Sequence, residues 1–132
     1  MTWKVEFDPA FEAEFDVLSE EVQDELLAQA GLLERFGPEL GRPRVDTLNG
    51  STHANMKELR FDADGGVWRV AFAFDPERKA VLLVGGDKSG GGERRFYKQL
   101  IRKADERFEA HLARLKERGI AKKPASKKRK RK

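Results

Sequence analysis

The sequence predicts an α+β domain made of a strand, a two-helix hairpin, a three-strand antiparallel meander and a long C-terminal helix. Three observations carry that prediction. Apolar residues recur at helical spacing in two stretches, 11–33 and 96–115. Between them, residues 56–86 form short alternating or apolar segments separated by turn signals. The chain has 132 residues and no internal repeat, which suits one small domain.

Trp3-Lys4-Val5-Glu6-Phe7 alternates apolar and polar residues and reads as the first strand. Asp8 is placed to cap a helix with Pro9 at its first position, and Phe11, Phe15 and Leu18 follow at helical spacing. Ser19 starts a second helix, with Glu20 and Glu21 at the positive end of its dipole. Val22, Leu26, Ala30 and Leu33 form its apolar stripe, widened by Leu27, and Gly37-Pro38 ends it. The two helices read as an antiparallel pair. Residues 38–55 read as a long polar connection without a period.

Met56–Phe61 and Val67–Asp75 flank the turn Asp62–Gly66, in which Asp64-Gly65 is a strong signal for a two-residue hairpin loop. Asp75–Lys79 is a second turn, and Ala80–Gly86 a third strand. Its run Val81-Leu82-Leu83-Val84 implies burial on both faces. A glycine-rich connection, Gly85–Gly92, leads to a helix over Glu93–Arg118 with Phe96, Leu100, Ala104, Phe108, Leu112 and Leu115 on one stripe. From Gly119 the chain is polar and basic and is expected to be disordered. The organisation is therefore a domain over 1–118 and a tail over 119–132.

Composition narrows the chemistry. Hydrophobic residues make up 39% and charged residues 38%, enough for one modest core. With no cysteine, disulfides, thiolate metal sites and Cys nucleophiles are excluded. His53 and His111 are too few for a histidine cage and read as solvated surface residues. The N-terminus has no apolar signal core and no run is long enough for a bilayer, so a cytoplasmic setting without membrane contact is expected. The net charge of +4 conceals a split: eight Lys or Arg lie between Lys122 and Lys132, leaving 19 basic against 23 acidic residues over 1–121. The basic excess belongs to the tail, which would attract polyanions in a salt-dependent way or simply aid solubility.

The hairpin register follows from its loop. With Asp64-Gly65 at the tip, Leu59 faces Val70, Phe61 faces Trp68, and Arg60 faces Arg69. Leu59, Phe61, Trp68, Val70, Phe72 and Phe74 then share the core face. Glu58, Arg60, Arg69, Ala71 and Ala73 share the other, where small alanines leave a depression. Opposed like charges are destabilising, and two guanidinium groups over a shallow floor suit a phosphate. The plainer account is a solvated face on which Glu58 neutralises one arginine. The glycine-rich Gly85–Gly92 lacks the Gly-Lys-Ser/Thr of a Walker A loop, but Lys88 could reach the arginine face. Asp62-Ala63-Asp64-Gly65 has only the start of a calcium loop and is explained by the hairpin. Tyr97 reads equally as an edge-of-core aromatic with a wet hydroxyl or as a catalytic group.

Gly41-Arg42-Pro43-Arg44-Val45-Asp46-Thr47-Leu48, Met56-Lys57-Glu58-Leu59-Arg60-Phe61, Val67-Trp68-Arg69-Val70-Ala71-Phe72, Ala80–Lys88 and Ala104-Asp105-Glu106-Arg107 occur in an order that resembles a family. Over about residues 3–115 the chain is similar to phage-related, HigB-like toxins of the RelE/ParE superfamily. The resemblance implies the toxin of a type II toxin–antitoxin system, acting as a ribosome-dependent mRNA endoribonuclease without metal or cofactor. Its implied partners are mRNA, the ribosome and a cognate antitoxin, expected to be a helix-turn-helix protein.

The same resemblance implies roles for residues. Arg60 and Arg69 would bind the scissile phosphate, and Lys88 would hold the backbone or neutralise the leaving oxygen. Lys57 and Tyr97 complete the catalytic candidates, with Lys98, Arg94 and Arg95 binding RNA. Lys57 lies on the core parity opposite Phe72 and would need a bulge or strand end to reach the site. Two other functions share these features: a ParE-like gyrase inhibitor without nuclease activity, and a non-catalytic RNA- or protein-binding module that uses the basic tail.

Overall fold

The computed structural model describes residues 3–131, with side chains up to residue 119. In chain order the elements are β1 (Lys4–Phe7), α1 (Pro9–Asp16), α2 (Glu20–Phe36), β2 (Val45–Thr47), β3 (Lys57–Ala63), β4 (Gly66–Phe74), β5 (Lys79–Asp87) and α3 (Glu93–Arg131). The strands form one sheet in the order β1-β5-β4-β3-β2. β3, β4 and β5 are the expected meander, and β1 pairs with β5 in parallel. The α+β architecture and its long last helix therefore follow the sequence reading.

Local chemistry sets the element ends. Asp8 Oδ2 accepts hydrogen bonds from the Ala10 and Phe11 amides at 2.9 and 3.3 Å, and Ser19 Oγ accepts from Val22 N at 3.3 Å. Gly37 closes α2 at φ +57°, and a Cβ there would lie 2.3 Å from the Trp3 indole nitrogen. Both the backbone conformation and the packing demand glycine at that point. Asp64 and Gly65 adopt φ of 51° and 74°, the doubly positive pair that a tight hairpin needs. The resulting register pairs Ala63 with Gly66 and Arg60 with Arg69, as the loop length predicts.

Two features depart from the sequence reading. Val45-Asp46-Thr47, inside the supposed connection, forms the edge strand β2 and pairs with Leu59, Glu58 and Lys57. Three residues are too few to display a period, so only the partner strand reveals it. The second departure concerns the face with Ala71 and Ala73. α1 and α2 cover one side of the sheet, where Phe11, Leu26 and Leu33 pack on Leu59, Val70, Phe72 and Leu82. α3 covers the other, where Leu100, Ala104 and Phe108 pack on Ala71, Ala73, Val81 and Leu83. Ala71 and Ala73 are fully buried, so their small size admits a helix rather than leaving a depression. A register shift against β5 at Ala71/Phe72 lets consecutive Leu83 and Val84 both join the α3 cluster.

The helix that was expected to end at Arg118 has a helical backbone to Arg131. Only the side chains of 120–132, which include those of the basic tail, lie outside the described residues.

Polar ties fix α3 across the sheet. Arg107 donates to Glu14 at 2.9 and 2.7 Å and to the Leu83 carbonyl at 2.8 Å, joining α3, α1 and the irregular turn of β5. Its hydrogen bond holds the Glu14 carboxyl below the ordinary 4.5. That contribution is present above pH 4.5 and fades as pH falls through the lowered value, weakened throughout by the exposure of Glu14. Arg107→Ala is expected to leave the Leu83 carbonyl unpaired and to reduce stability by about 1–3 kcal/mol, read as a lower urea midpoint with unchanged slope.

Candidate functional site

At the hairpin end of the sheet, the face under the start of α3 carries two rows of like charge. Asp46 on β2 lies opposite Glu58 on β3, and Arg60 on β3 lies opposite Arg69 on β4. Each row alone would repel itself, but the two offset one another diagonally. Arg60 Nη1 is 3.7 Å from Asp46 Oδ2, and Arg60 Nε is 4.0 Å from Glu58 Oε2. Arg69 Nε is 3.9 Å from Glu58 Oε1, and Arg42 Nη2 is 3.2 Å from Asp46 Oδ2.

Tyr97 joins the rows from above. Its hydroxyl donates to Glu58 Oε1 at 2.8 Å and accepts from Arg69 Nε at 3.1 Å, while Arg69 Nη1 donates to the Trp68 carbonyl at 2.8 Å. Tyr97 is held there because Phe96, its neighbour, fits against Gly86, where a Cβ would come within 2.9 Å of the ring. Gly86 is the β5 partner of Arg69. Gly85 and Gly86 are thus strand positions pressed by side chains, not part of a phosphate loop. Beyond them, Asp87 Oδ1 accepts from Ser89 N and Val67 N, so the Ser89 amide is already engaged.

The two arginines differ in access. Arg69 is 7% exposed and hydrogen-bonded through Nε and Nη1, whereas the Arg60 side chain is 32% exposed. The symmetric open pair expected on the sequence is therefore one accessible guanidinium beside one held beneath α3. Burial raises the Glu58 carboxyl above its usual range, only partly opposed by Tyr97 and the arginines. Burial and the Glu58 carboxylate push the Tyr97 hydroxyl up to about 12, so it stays protonated at any working pH.

The remaining candidates fall around this centre or away from it. Lys88 stands just past β5, its Nζ 3.4 Å from Glu93 Oε1 at the rim. Arg94, Arg95 and Lys98 are exposed on the first turns of α3. Lys57 pairs with Phe72 and shares the strand face of Leu59 and Phe61, opposite to that of Arg60. The register shift that could have turned it lies between β4 and β5, so Lys57 is not brought to the site. His111, expected in solvent, is buried with Nε2 2.7 Å from Asp75 Oδ2. Among the described residues no group of three or more His, Asp or Glu side chains could hold a metal ion, and no helix is long and apolar enough to cross a membrane.

Glu58 is the residue that sequence reasoning undervalued, counting it only as a neutraliser. Its signal was available in its parity, which it shares with Arg60 and Arg69. Asp46 was hidden with β2.

The comparisons agree with this architecture. The sequence matches the family described as Phage derived protein Gp49-like over residues 13–109. HigB3 of Mycobacterium tuberculosis (strain ATCC 25618 / H37Rv), a protein bearing a toxin name, is 47% identical over 105 residues, covering 80% of this chain and 90% of that protein. HigB2 of the same strain, likewise named, is 45% identical over 97 residues; the match covers 73% of this chain but only 48% of HigB2. The free-state structure of the E. coli toxin RelE, in a double arginine-to-alanine mutant, superposes with a TM-score of 0.56 at 14% identity, covering 81% of this chain and 98% of RelE. At that identity the likeness speaks for the fold alone. The chain belongs to the Gp49-like family, is similar to the HigB toxins, and shares the fold of RelE.

Proposed function

We propose that the chain is the toxin of a type II toxin–antitoxin pair, and that it cuts mRNA on the ribosome in the cytoplasm until a cognate antitoxin covers it. The observation that carries this reading is the opposition of Arg60 and Arg69 with Glu58 and Tyr97 hydrogen-bonded between them, beside an open cleft. Glu58 takes the proton from a ribose 2′-hydroxyl, a task suited to a carboxylate whose proton affinity burial has raised. The 2′-oxygen then attacks the adjacent phosphorus and the bond to the 5′-oxygen breaks, leaving a cyclic phosphate and a 5′-hydroxyl. Arg60, the accessible guanidinium, meets the phosphate first, and Arg69 adds its charge as the Glu58 proton balance changes. Lys88 gives the departing 5′-oxygen the proton that makes it a hydroxyl, and Arg94, Arg95 and Lys98 hold the RNA backbone.

A helix-turn-helix antitoxin would neutralise such a site most simply by covering the Arg60 face. The test is expression in cells followed by mapping of mRNA 5′ ends, for the native chain and for Arg60→Ala. Cleavage by the native chain, reduced about 100-fold or more in Arg60→Ala, is the expected result. The internal engagement of Arg69 favours a second reading, a ParE-like inhibitor of gyrase that needs no phosphate clamp. Toxicity without new 5′ ends, unchanged in Arg60→Ala, would select it.

A further inference from the structure

The open cleft beside Arg60, of about 320 Å³, takes its lining from two distant stretches as well as from the charged rows. Glu93, Tyr97 and Ile101 come from α3, whereas Thr47, Leu48 and Asn49 come from the end of β2 and the residues after it. Tyr97 is fixed by its bonds to Glu58 and Arg69. The other side is the start of a loop, and a loop wall needs an anchor.

Residues 48–56 leave β2 and return to β3 as a closed loop. Leu48 N donates to the Met56 carbonyl at 2.9 Å, and Met56 N donates to the His53 carbonyl at 3.0 Å. The loop lies along one ridge of α3. Glu93, Tyr97, Ile101, Asp105 and Glu109 stand four residues apart and form that ridge. Its first three members line the cleft, and from Ile101 onward the ridge meets the loop. Gly50, at φ +100°, faces Ile101, whose Cδ1 lies 3.5 Å from where a Cβ would stand. Asp105 accepts twice, through Oδ1 from the Ser51 hydroxyl at 2.5 Å and through Oδ2 from the Thr52 amide at 3.0 Å. His53 sets its ring edge-on to Phe108, centroids 5.1 Å apart, with Nε2 3.5 Å from Glu109 Oε2.

Asp105 carries most of this attachment. Glu109 is exposed, and an exposed pair contributes little. Asp105 is half-buried, and both of its bonds are charge-assisted. Ser51 Oγ also accepts from the His53 amide at 2.9 Å, so the carboxylate orders the turn as well as its seat on the helix.

We infer that Asp105, which does not itself line the cleft, is a positioning residue for RNA binding: by holding Ser51 and Thr52 it fixes Thr47, Leu48 and Asn49 as the wall against which the RNA beside the scissile phosphate packs. This rests on the nuclease reading and adds to it the device that keeps the substrate cleft formed. Glu58, Tyr97 and Arg69 are bonded to one another and to the Trp68 carbonyl without the loop, so the proton-transfer groups are insulated from it. Without the carboxylate the loop keeps its closing bonds but loses its seat, and RNA must order it anew on binding. The effect falls on KM and spares kcat.

The experiment uses the purified full chain and its variants to cut an mRNA held on ribosomes, with rates measured over a range of programmed-ribosome concentrations and circular dichroism confirming each fold. Asp105→Ala is expected to raise KM about tenfold with kcat within about twofold of native. Asp105→Asn keeps an oxygen for the Thr52 amide and gains an amide nitrogen that can donate to Ser51 Oγ; its KM is expected within about threefold of native. Arg107→Ala loosens α3 away from the loop and is expected to keep the native KM. Should Asp105→Ala fail to fold, Ser51→Ala removes one of the two bonds and is expected to raise KM about threefold. An unchanged KM in the folded alanine variant, a loss confined to kcat, an equal KM rise in Arg107→Ala or no recovery in Asp105→Asn would each overturn the inference while native cleavage left the nuclease reading intact. Absence of cleavage by the native chain would refute the nuclease reading itself, and the inference with it.

Discussion

Glu58→Gln is expected to lower mRNA cleavage by about 10²–10⁴-fold while leaving a folded protein, the size of effect that follows loss of a positioned general base. The amide keeps an oxygen that can accept from the Tyr97 hydroxyl, now 2.8 Å from Glu58 Oε1, but it cannot take up the 2′-hydroxyl proton. Arg69 retains its bonds to Tyr97 and to the Trp68 carbonyl, so the network has other supports. The native protein should also show a distinctive pH profile. Burial raises the Glu58 carboxyl above the ordinary 4.5, so as pH falls Glu58 protonates earlier than an exposed glutamate would. Cleavage should therefore fade on the acid side, starting above that value, and Glu58→Gln should flatten this limb along with the rate. For folding the sign is opposite: the protonated form is favoured in the native state, so this group's stabilising share is full in acid and is lost as pH rises through the raised value. An acid limb that coincides with unfolding, followed by circular dichroism across the same range, would separate the two causes. Undiminished cleavage by Glu58→Gln would remove the base from the mechanism.

His111→Ala is expected to be the most damaging of the stability changes, costing about 3–5 kcal/mol and lowering the melting temperature by roughly 10–20 °C. His111 and Asp75 have side chains 2% and 0% exposed and meet at 2.7 Å. Asp75 also shapes the turn from β4 to β5: its Oδ1 accepts from Glu77 N at 2.8 Å and from Lys79 N at 3.0 Å. The same carboxylate therefore joins a hairpin turn to the middle of α3. Removing the imidazole leaves Asp75 Oδ2 buried without its partner and opens space beside Phe108, whose ring stacks on His111 at 6.1 Å. A thermal melt that moves by less than a few degrees would show the pair to be dispensable.

Both expectations turn on residues whose importance was unequally visible along the chain. The β3–β4 register was legible because Asp64-Gly65 leaves a two-residue loop little freedom, and each later pair then follows by counting. The opposition of Arg60 and Arg69 was therefore available before any coordinates. Their unequal access was not. It depends on Tyr97, which lies 39 residues from Glu58 along the chain and 28 from Arg69. Ala71 and Ala73 illustrate the same gap, since small residues on a strand are compatible with an empty floor and with a closely packed helix. His111 lies on the apolar stripe of α3, three residues after Phe108 and four before Leu115, yet was assigned to solvent, although a buried carboxylate was waiting for it across the sheet.

Helix caps, helix and strand periods and the hairpin register could all be read from residue order, because each arises from neighbours a few positions apart or from a tight loop. The placement of α3 over the arginine face, the pairing of β2, the sinking of Arg69 under Tyr97 and the joining of His111 to Asp75 required the folded chain. Each of these rests on contacts between distant segments, and their free energy depends on which surfaces water is removed from together, a property that no short window of sequence contains.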